Sequence, residues 1–225
     1  MKTYIILSNR VWSKFLYQDL AKQIEANWIF IDDKNEVNFD YLSSLNPEYI
    51  FIPNWSHIIE EPIIRKFKCI VFHETDLPFG RGGSPIQNLI VKGYESTVVS
   101  AIRASENIDA GPIYLKKEVS LLGGIEEIFL RISNVVQEMI VEIISKNIDP
   151  VPQSGEGTIF KRRGPKDSLI KEFESIEKIF DKIRMLDSDY YPHAYFESEK
   201  LIFEFTRPTL RGNKTIIADV RIIKK

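Results

Sequence analysis

Residues 68–85 read Lys68-Cys69-Ile70-Val71-Phe72-His73-Glu74-Thr75-Asp76-Leu77-Pro78-Phe79-Gly80-Arg81-Gly82-Gly83-Ser84-Pro85. The apolar run Lys68–Phe72 has the length and composition of a buried strand. It ends on a histidine, and a loop with two prolines and three glycines follows. In an open parallel sheet, ligands bind just outside the carboxyl ends of strands. His73 is therefore placed for chemistry rather than only for packing. The glycines permit close backbone approach and positive φ, while the prolines stiffen the loop.

Upstream, strand and helix alternate with short connections. Tyr4–Leu7 is a compact apolar run ended by Ser8-Asn9-Arg10. Helical spacing follows over about residues 12–26, carried by Phe15, Leu16, Leu20 and Ile24. Trp28–Ile31 and Tyr49–Ile52 read as the second and third strands. Short helices are expected over Phe39–Leu45 and Ile58–Phe67. Pro53-Asn54-Trp55-Ser56-His57 breaks the third strand. This alternation argues for right-handed βαβ crossovers and an α/β fold. No G-x-G-x-x-G follows the first strand, which removes the dinucleotide fingerprint.

Downstream, Pro85–Val91 fits a short helix closed by Gly93. Thr97–Ile102 is strand-like, and Asn107–Pro112 is a tight polar turn carrying Asp109. Ile113–Leu115 and Glu118–Leu121 continue as strand. The longest helical pattern runs from Ile125 to about Ile148, with apolar residues at three- and four-residue steps. Pro150, Pro152, Gly155 and Gly157 mark a linker, and Lys161-Arg162-Arg163 with Lys166 forms a basic cluster. A helix is expected over Ser175–Met185. Short strands follow at Ala194–Phe196, Leu201–Phe205 and Ile216–Ile223, with Pro208 and Gly212 interrupting them.

The bulk numbers exclude several classes. Lys and Arg total 30 against 32 Asp and Glu, a net charge of −2, so no strong field favours nucleic acid or membrane. Cys69 is the only cysteine, which rules out a disulfide within the chain and a cysteine-type zinc site. No run reaches the length of a membrane span. The expectation is a cytoplasmic protein of a reducing compartment, with no membrane partner and no metal.

Taken in order, several segments resemble one family. They are His73 before Leu77-Pro78, Arg81-Gly82 leading to Pro85, Gly93 with Thr97, and Asp109-Ala110-Gly111-Pro112-Ile113. This pattern resembles the formyltransferases that use N10-formyltetrahydrofolate. The C-terminal pieces, Lys161–Asp167 and Tyr191–Phe196, are similar to the sugar N-formyltransferase and methionyl-tRNA formyltransferase branches. The resemblance implies an α/β, Rossmann-like domain with a parallel or mixed sheet over 1–148. A linker with the basic cluster (149–168) and a small helix plus β-rich subdomain (169–225) follow.

The family's catalytic trio is Asn, His and Asp. His and Asp carry over to His73 and Asp109; the Asn position, two residues before the histidine, is Val71. Asn54, at the end of the neighbouring third strand, is the expected replacement donor. Trp55, Ser56, His57 and Ile58 match the segment that grips the pterin ring. Arg81, with Gly82 and Gly83, is expected against the acceptor substrate or ordering its loop. The resemblance implies formyl transfer from N10-formyltetrahydrofolate, as co-substrate, to the amine of a nucleotide-linked amino sugar. Two alternatives stand beside it: a methionyl-tRNA formyltransferase-like enzyme, against which the acidic balance counts, and a non-catalytic binding module. The β-rich tail leaves a homodimer open.

Overall fold

Five-residue runs of β-branched and aromatic residues form the first strands because both of their faces are covered. In the computed structural model, which describes every residue except Asn213, Thr3–Leu7 (β1), Asn27–Ile31 (β2), Tyr49–Pro53 (β3) and Cys69–His73 (β4) lie in one sheet. Ser96–Arg103 (β6) and Ile113–Ser120 (β7) complete it, in the order β2-β1-β3-β4-β6-β7. β1, β2, β3 and β4 are mutually parallel. β6 runs antiparallel to β4, with His73 opposite Ser100, so the sheet is mixed.

The two faces of the sheet carry different side chains. Ile5, Leu7, Ile31, Ile50, Ile52 and Cys69 belong to an aliphatic cluster shared with Leu42, Ile63 and Phe67. The alternate residues Tyr4, Trp28, Tyr49 and Phe51 form an aromatic layer, with Tyr4 and Trp28 ring centroids 4.9 Å apart. A slip of one residue would exchange the two layers, which fixes the register.

Helices Val11–Gln23 (α1), Phe39–Leu45 (α2) and Glu61–Lys66 (α3) connect the parallel strands. α2 has the expected bounds, with Asn38 capping its N-terminus by accepting from Tyr41 N at 2.9 Å. α3 is shorter than the apolar pattern suggests. Pro62 at its first turn and Glu60 in extended backbone start it three residues after Ile58, which is 91% exposed. Pro85–Val91 (α4) ends as expected, with Gly93 at φ +83°. β7 is one continuous strand where two runs were expected. Ile125–Lys146 (α5) buries Ile128, Ile132, Val136, Ile140 and Ile143.

The chain divides into two compact units. One comprises residues 1–82, 98–119 and 130–159; the other comprises 83–97, 120–129 and 160–225. In the first, β1 is where the strand order changes direction, β2 lying on one side and β3 on the other. A short ladder pairs Arg81–Gly82 (β5) with Ile159–Phe160 (β8).

In the second unit, Ile176–Arg184 (α6) is capped by Ser175 and followed by the antiparallel strands Ala194–Glu197 (β9), Leu201–Arg211 (β10) and Thr215–Lys224 (β11). Arg184 is buried but satisfied: Nη1 donates to the carbonyls of Leu121 and Gly123 at 2.7 and 2.8 Å, and Nε donates to Asp181. Pro208 does not end β10. It sits within the register shift between Thr206 and Thr209, where a strand tolerates a residue without an N–H. Among the described residues, no helix is long and apolar enough to cross a membrane.

Candidate functional site

β4 delivers His73 to the carboxyl edge of the sheet, where the imidazole is 7% exposed. Its Nε2 lies 2.9 Å from the carbonyl oxygen of Gly80, in the loop that turns back after β4. Its Nδ1 lies 3.5 Å from Oδ2 of Asp109, at the outer limit of a hydrogen bond. Both neighbours are acceptors. A neutral ring can donate to only one of them, whereas an imidazolium donates to both.

Asp109 arrives from the turn between β6 and β7, with its backbone in the left-handed region at φ +52°. Asp adopts that conformation more readily than most residues. Two contacts fix the turn. A Cβ on Gly111 would lie 1.7 Å from the Arg103 carbonyl oxygen, so only glycine lets the turn close against β6. Asp109 Oδ2 also accepts the Gly82 N–H at 2.9 Å, which draws the loop after β4 onto the same carboxylate. Oδ1 has no hydrogen-bond partner among the described residues.

Asn54 follows β3, beside the end of β1, at the point where the strand order reverses. Ligands of open α/β sheets collect at such a point. Its φ is +57°, a second left-handed residue in the same neighbourhood. Trp12 Nε1 donates to Asn54 Oδ1 at 3.1 Å, and Asn54 Nδ2 donates to Glu74 Oε1 at 2.9 Å. The indole can only donate, so it sets which way the amide faces. The second Nδ2 hydrogen has no partner among the described residues.

Glu74 was not legible as a site residue. A glutamate in a polar loop reads as solvated, yet this one is buried beside His73. Burial pushes its carboxyl above the usual carboxylate range; His73, a backbone hydrogen bond and Asn54 oppose the shift in part. Gln153 was also missed, since it lies in a segment that reads as linker. Its Nε2 donates to the carbonyls of Asp109 and Gly111, both at 2.8 Å. Its Oε1 accepts from Arg81 Nη2 at 2.6 Å. Arg81 thus orders its loop through a neutral amide rather than through an acid. The proline- and glycine-rich composition around Gln153 was the only available signal, and it pointed elsewhere.

The remaining expected residues lie as follows. Trp55 stands edge-on to His57, ring centroids 5.3 Å apart, in an irregular segment after β3. Ser56 and His57 are exposed. A Cβ on Gly83 would lie 2.7 Å from Cβ of Arg162, so chain approach explains that glycine. A cavity of about 350 Å³ opens against the loop after His73, lined by Asp76, Leu77, Pro78, Lys116, Val151 and Pro152. Lys116 donates to the Leu77 carbonyl at 2.6 Å and pairs with Asp76. Among the described residues, no cluster of three or more His, Cys, Asp or Glu side chains is placed to hold a metal ion.

A buried imidazole facing a carboxylate at the strand ends of a mixed α/β sheet defines a class of acid–base site. The Formyl transferase family matches residues 24–144, and the methionyl-tRNA formyltransferase C-terminal domain matches residues 165–223. A solved structure of methionyl-tRNA formyltransferase from Clostridium thermocellum is 43% identical, with a TM-score of 0.97 and both chains covered completely. The chain belongs to the formyl transferase family.

The methionyl-tRNA formyltransferase of Thermodesulfovibrio yellowstonii is 35% identical over 181 residues, 76% of this chain. The chain spans 58% of the length of that relative. HypX from Aquifex aeolicus, solved in complex with tetrahydrofolic acid, shares the fold at 19% identity and a TM-score of 0.76. That alignment covers 91% of this chain and 37% of HypX.

Proposed function

We propose that this chain transfers a formyl group from N10-formyltetrahydrofolate to a primary amine, and that the amine is that of methionyl-tRNA. The observation that carries the reaction class is the His73–Asp109 pair at 3.5 Å in a member of the formyl transferase family. The acceptor is supported by the relatives named methionyl-tRNA formyltransferase and by the match of that enzyme's C-terminal domain to residues 165–223.

In this reading, the neutral amine attacks the formyl carbon and negative charge develops on the formyl oxygen. Asn54 Nδ2 supplies the hydrogen bond that Val71 cannot. Trp12 and Glu74 are positioning residues that hold the amide in one orientation. Asp109 Oδ1, its partner Oδ2 already held by Gly82, takes a proton from the attacking nitrogen. His73 lies beside the forming oxyanion; its Nδ1 takes the proton on from Asp109 as its Nε2–H leaves the Gly80 carbonyl for the leaving nitrogen of the folate. Each group holds or moves a proton at a fixed atom, which is what general acid–base catalysis requires.

A second reading has a specific observation in its favour. Lys and Arg do not exceed Asp and Glu, at 30 against 32, whereas proteins that hold nucleic acid draw affinity from neutralising phosphates. A nucleotide-linked amino sugar presents the same kind of amine with only a few phosphate charges.

One experiment tests both readings. The chain is incubated with N10-formyltetrahydrofolate and, in parallel, with methionyl-tRNA and a panel of nucleotide-linked amino sugars, and acceptor mass is read. Formylated methionyl-tRNA is the expected product. Transfer to a sugar alone would move the assignment to the second reading. Binding of a folate analogue without transfer to any acceptor would leave a binding module and overturn the proposal.

A further inference from the structure

β11 is a sheet edge. β10 lies along one side, and among the described residues no strand lies along the other. Soluble proteins usually blunt such edges with charged side chains, lysine above all, or with proline, a bulge or a short strand. From Thr215 to Ile223, β11 has no lysine, proline or bulge, and its only charges are the oppositely charged Asp219 and Arg221; the extra residue at the register shift is on β10. Ile217, Val220 and Ile222 are 50, 49 and 62% exposed.

One bond sets the direction of the backbone groups. Lys225 N donates to Lys200 O, next in register to the Leu201–Lys224 pair. Residues 219, 221, 223 and 225 therefore turn their backbone groups towards β10. In an antiparallel ladder the intervening residues face the other way. The N–H and C=O groups of Ala218, Val220, Ile222 and Lys224 thus point to the open edge.

We infer that β11 pairs with β11 of a second copy of this chain, antiparallel about a two-fold axis at Val220. The charges select that register. A two-fold axis perpendicular to the sheet passes through a residue, and the charges in mid-strand are Asp219 and Arg221. An axis at Asp219 opposes two carboxylates, and an axis at Arg221 opposes two guanidiniums. At Val220, each Asp219 lies opposite Arg221 of the second copy, and symmetry makes this pair twice. Unlike charges directly opposite stabilise a sheet and like charges destabilise it.

Within one copy, Arg221 already faces Glu204 at 3.7 Å, and Asp219 is paired with Arg207. Joining two copies makes a row that alternates in sign: Glu204, Arg221, then Asp219 and Arg207 of the second copy. On the other face, Val220 meets Val220 and Ala218 meets Ile222. This extends the apolar row Phe196–Phe203–Ile222 of each copy. The contact is self-complementary, as a two-fold dimer requires, and it does not depend on which acceptor the site serves.

Sedimentation velocity of the full chain over a range of concentrations tests the dimer. The wild type should form a dimer. Asp219→Arg and Arg221→Asp should each sediment as monomers, and an equal mixture of the two should recover a dimer, because each then faces the opposite charge. Val220→Pro removes an outward N–H but no bond to β10; it should give a monomer with an unchanged far-ultraviolet circular dichroism spectrum. A wild type that stays monomeric, a dimer that survives all three substitutions, or folded charge variants that stay monomeric when mixed would overturn the inference.

Discussion

The two main sheets of this chain handle burial in opposite ways. β1, β3 and β4 are five residues long and almost wholly buried, aliphatic on one face and aromatic on the other. β10 and β11 are eleven and ten residues long, yet neither has a fully buried residue. The short, sealed strands can hold ionisable groups in a fixed, dry environment at their ends. His73 and Glu74 are buried there, and Asn54 and Asp109 are kept in left-handed backbone. Such outliers persist where the surroundings over-determine them, and they cluster at working sites. The long strands keep their charges in water and offer an edge. Under the proposed function and the inferred β11 contact, chemistry and association fall to different sheets.

Substitutions can break this contrast. The largest expected effect is at the sealed sheet: His73→Ala should lower the rate of formyl transfer about 10³-fold or more, within the range for loss of a general acid or base. The melting temperature should stay near the parent's. Asn54→Ala should lower kcat by about 10²-fold, as removal of one oxyanion donor does. Its KM for the folate should change little. An Asn54→Ala enzyme with parental kcat would return the oxyanion role to another group.

Stability should show the same division. Ile6, fully buried in β1, should cost roughly 2–5 kcal/mol on truncation to alanine. Ile222→Ala on β11 should stay within about 0.5 kcal/mol when measured on the monomer by urea denaturation. Comparable losses would mean that the C-terminal sheet is sealed in solution.

A smaller, signed effect concerns Glu74. Burial holds its carboxyl above 4.5, so the folded chain keeps a proton that the unfolded chain releases. Its contribution to stability is complete below 4.5 and declines as pH rises from there through the folded value. Glu74→Gln cannot ionise and keeps an acceptor for Asn54. Its melting temperature relative to the parent should therefore increase from about pH 4 to about pH 7. A constant difference would place Glu74 in an environment like water. Least of all, Cys69, whose thiol burial pushes up to about 12, should resist alkylation in the native state.

The local elements that carry the candidate site could be read from the sequence. β4 ending on His73, the Asp109 turn and α4 follow from local signals: an apolar run, turn chemistry, and proline and glycine at helix ends. What escaped depends on residues brought together from far along the chain. Gln153 reaches the Asp109 turn from a segment whose prolines suggest a linker. Glu74 is buried by elements that its own neighbours do not announce. The antiparallel placement of β6 is a choice of sheet partner, and β10 runs through Pro208 because a bulge removes the need for an N–H there. The resemblance marked Val71 as a missing amide; the Trp12–Asn54–Glu74 chain that could replace it became visible only in three dimensions.

The central claim is that His73 and Asp109 act as one unit in formyl transfer. A double-mutant cycle on single-turnover formylation, with His73→Ala, Asp109→Ala and both together, tests it most directly. Groups that act as a unit lose their function once, so the double variant should be no slower than the slower single variant. Losses that multiply, or near-parental turnover in either single variant, would contradict the account.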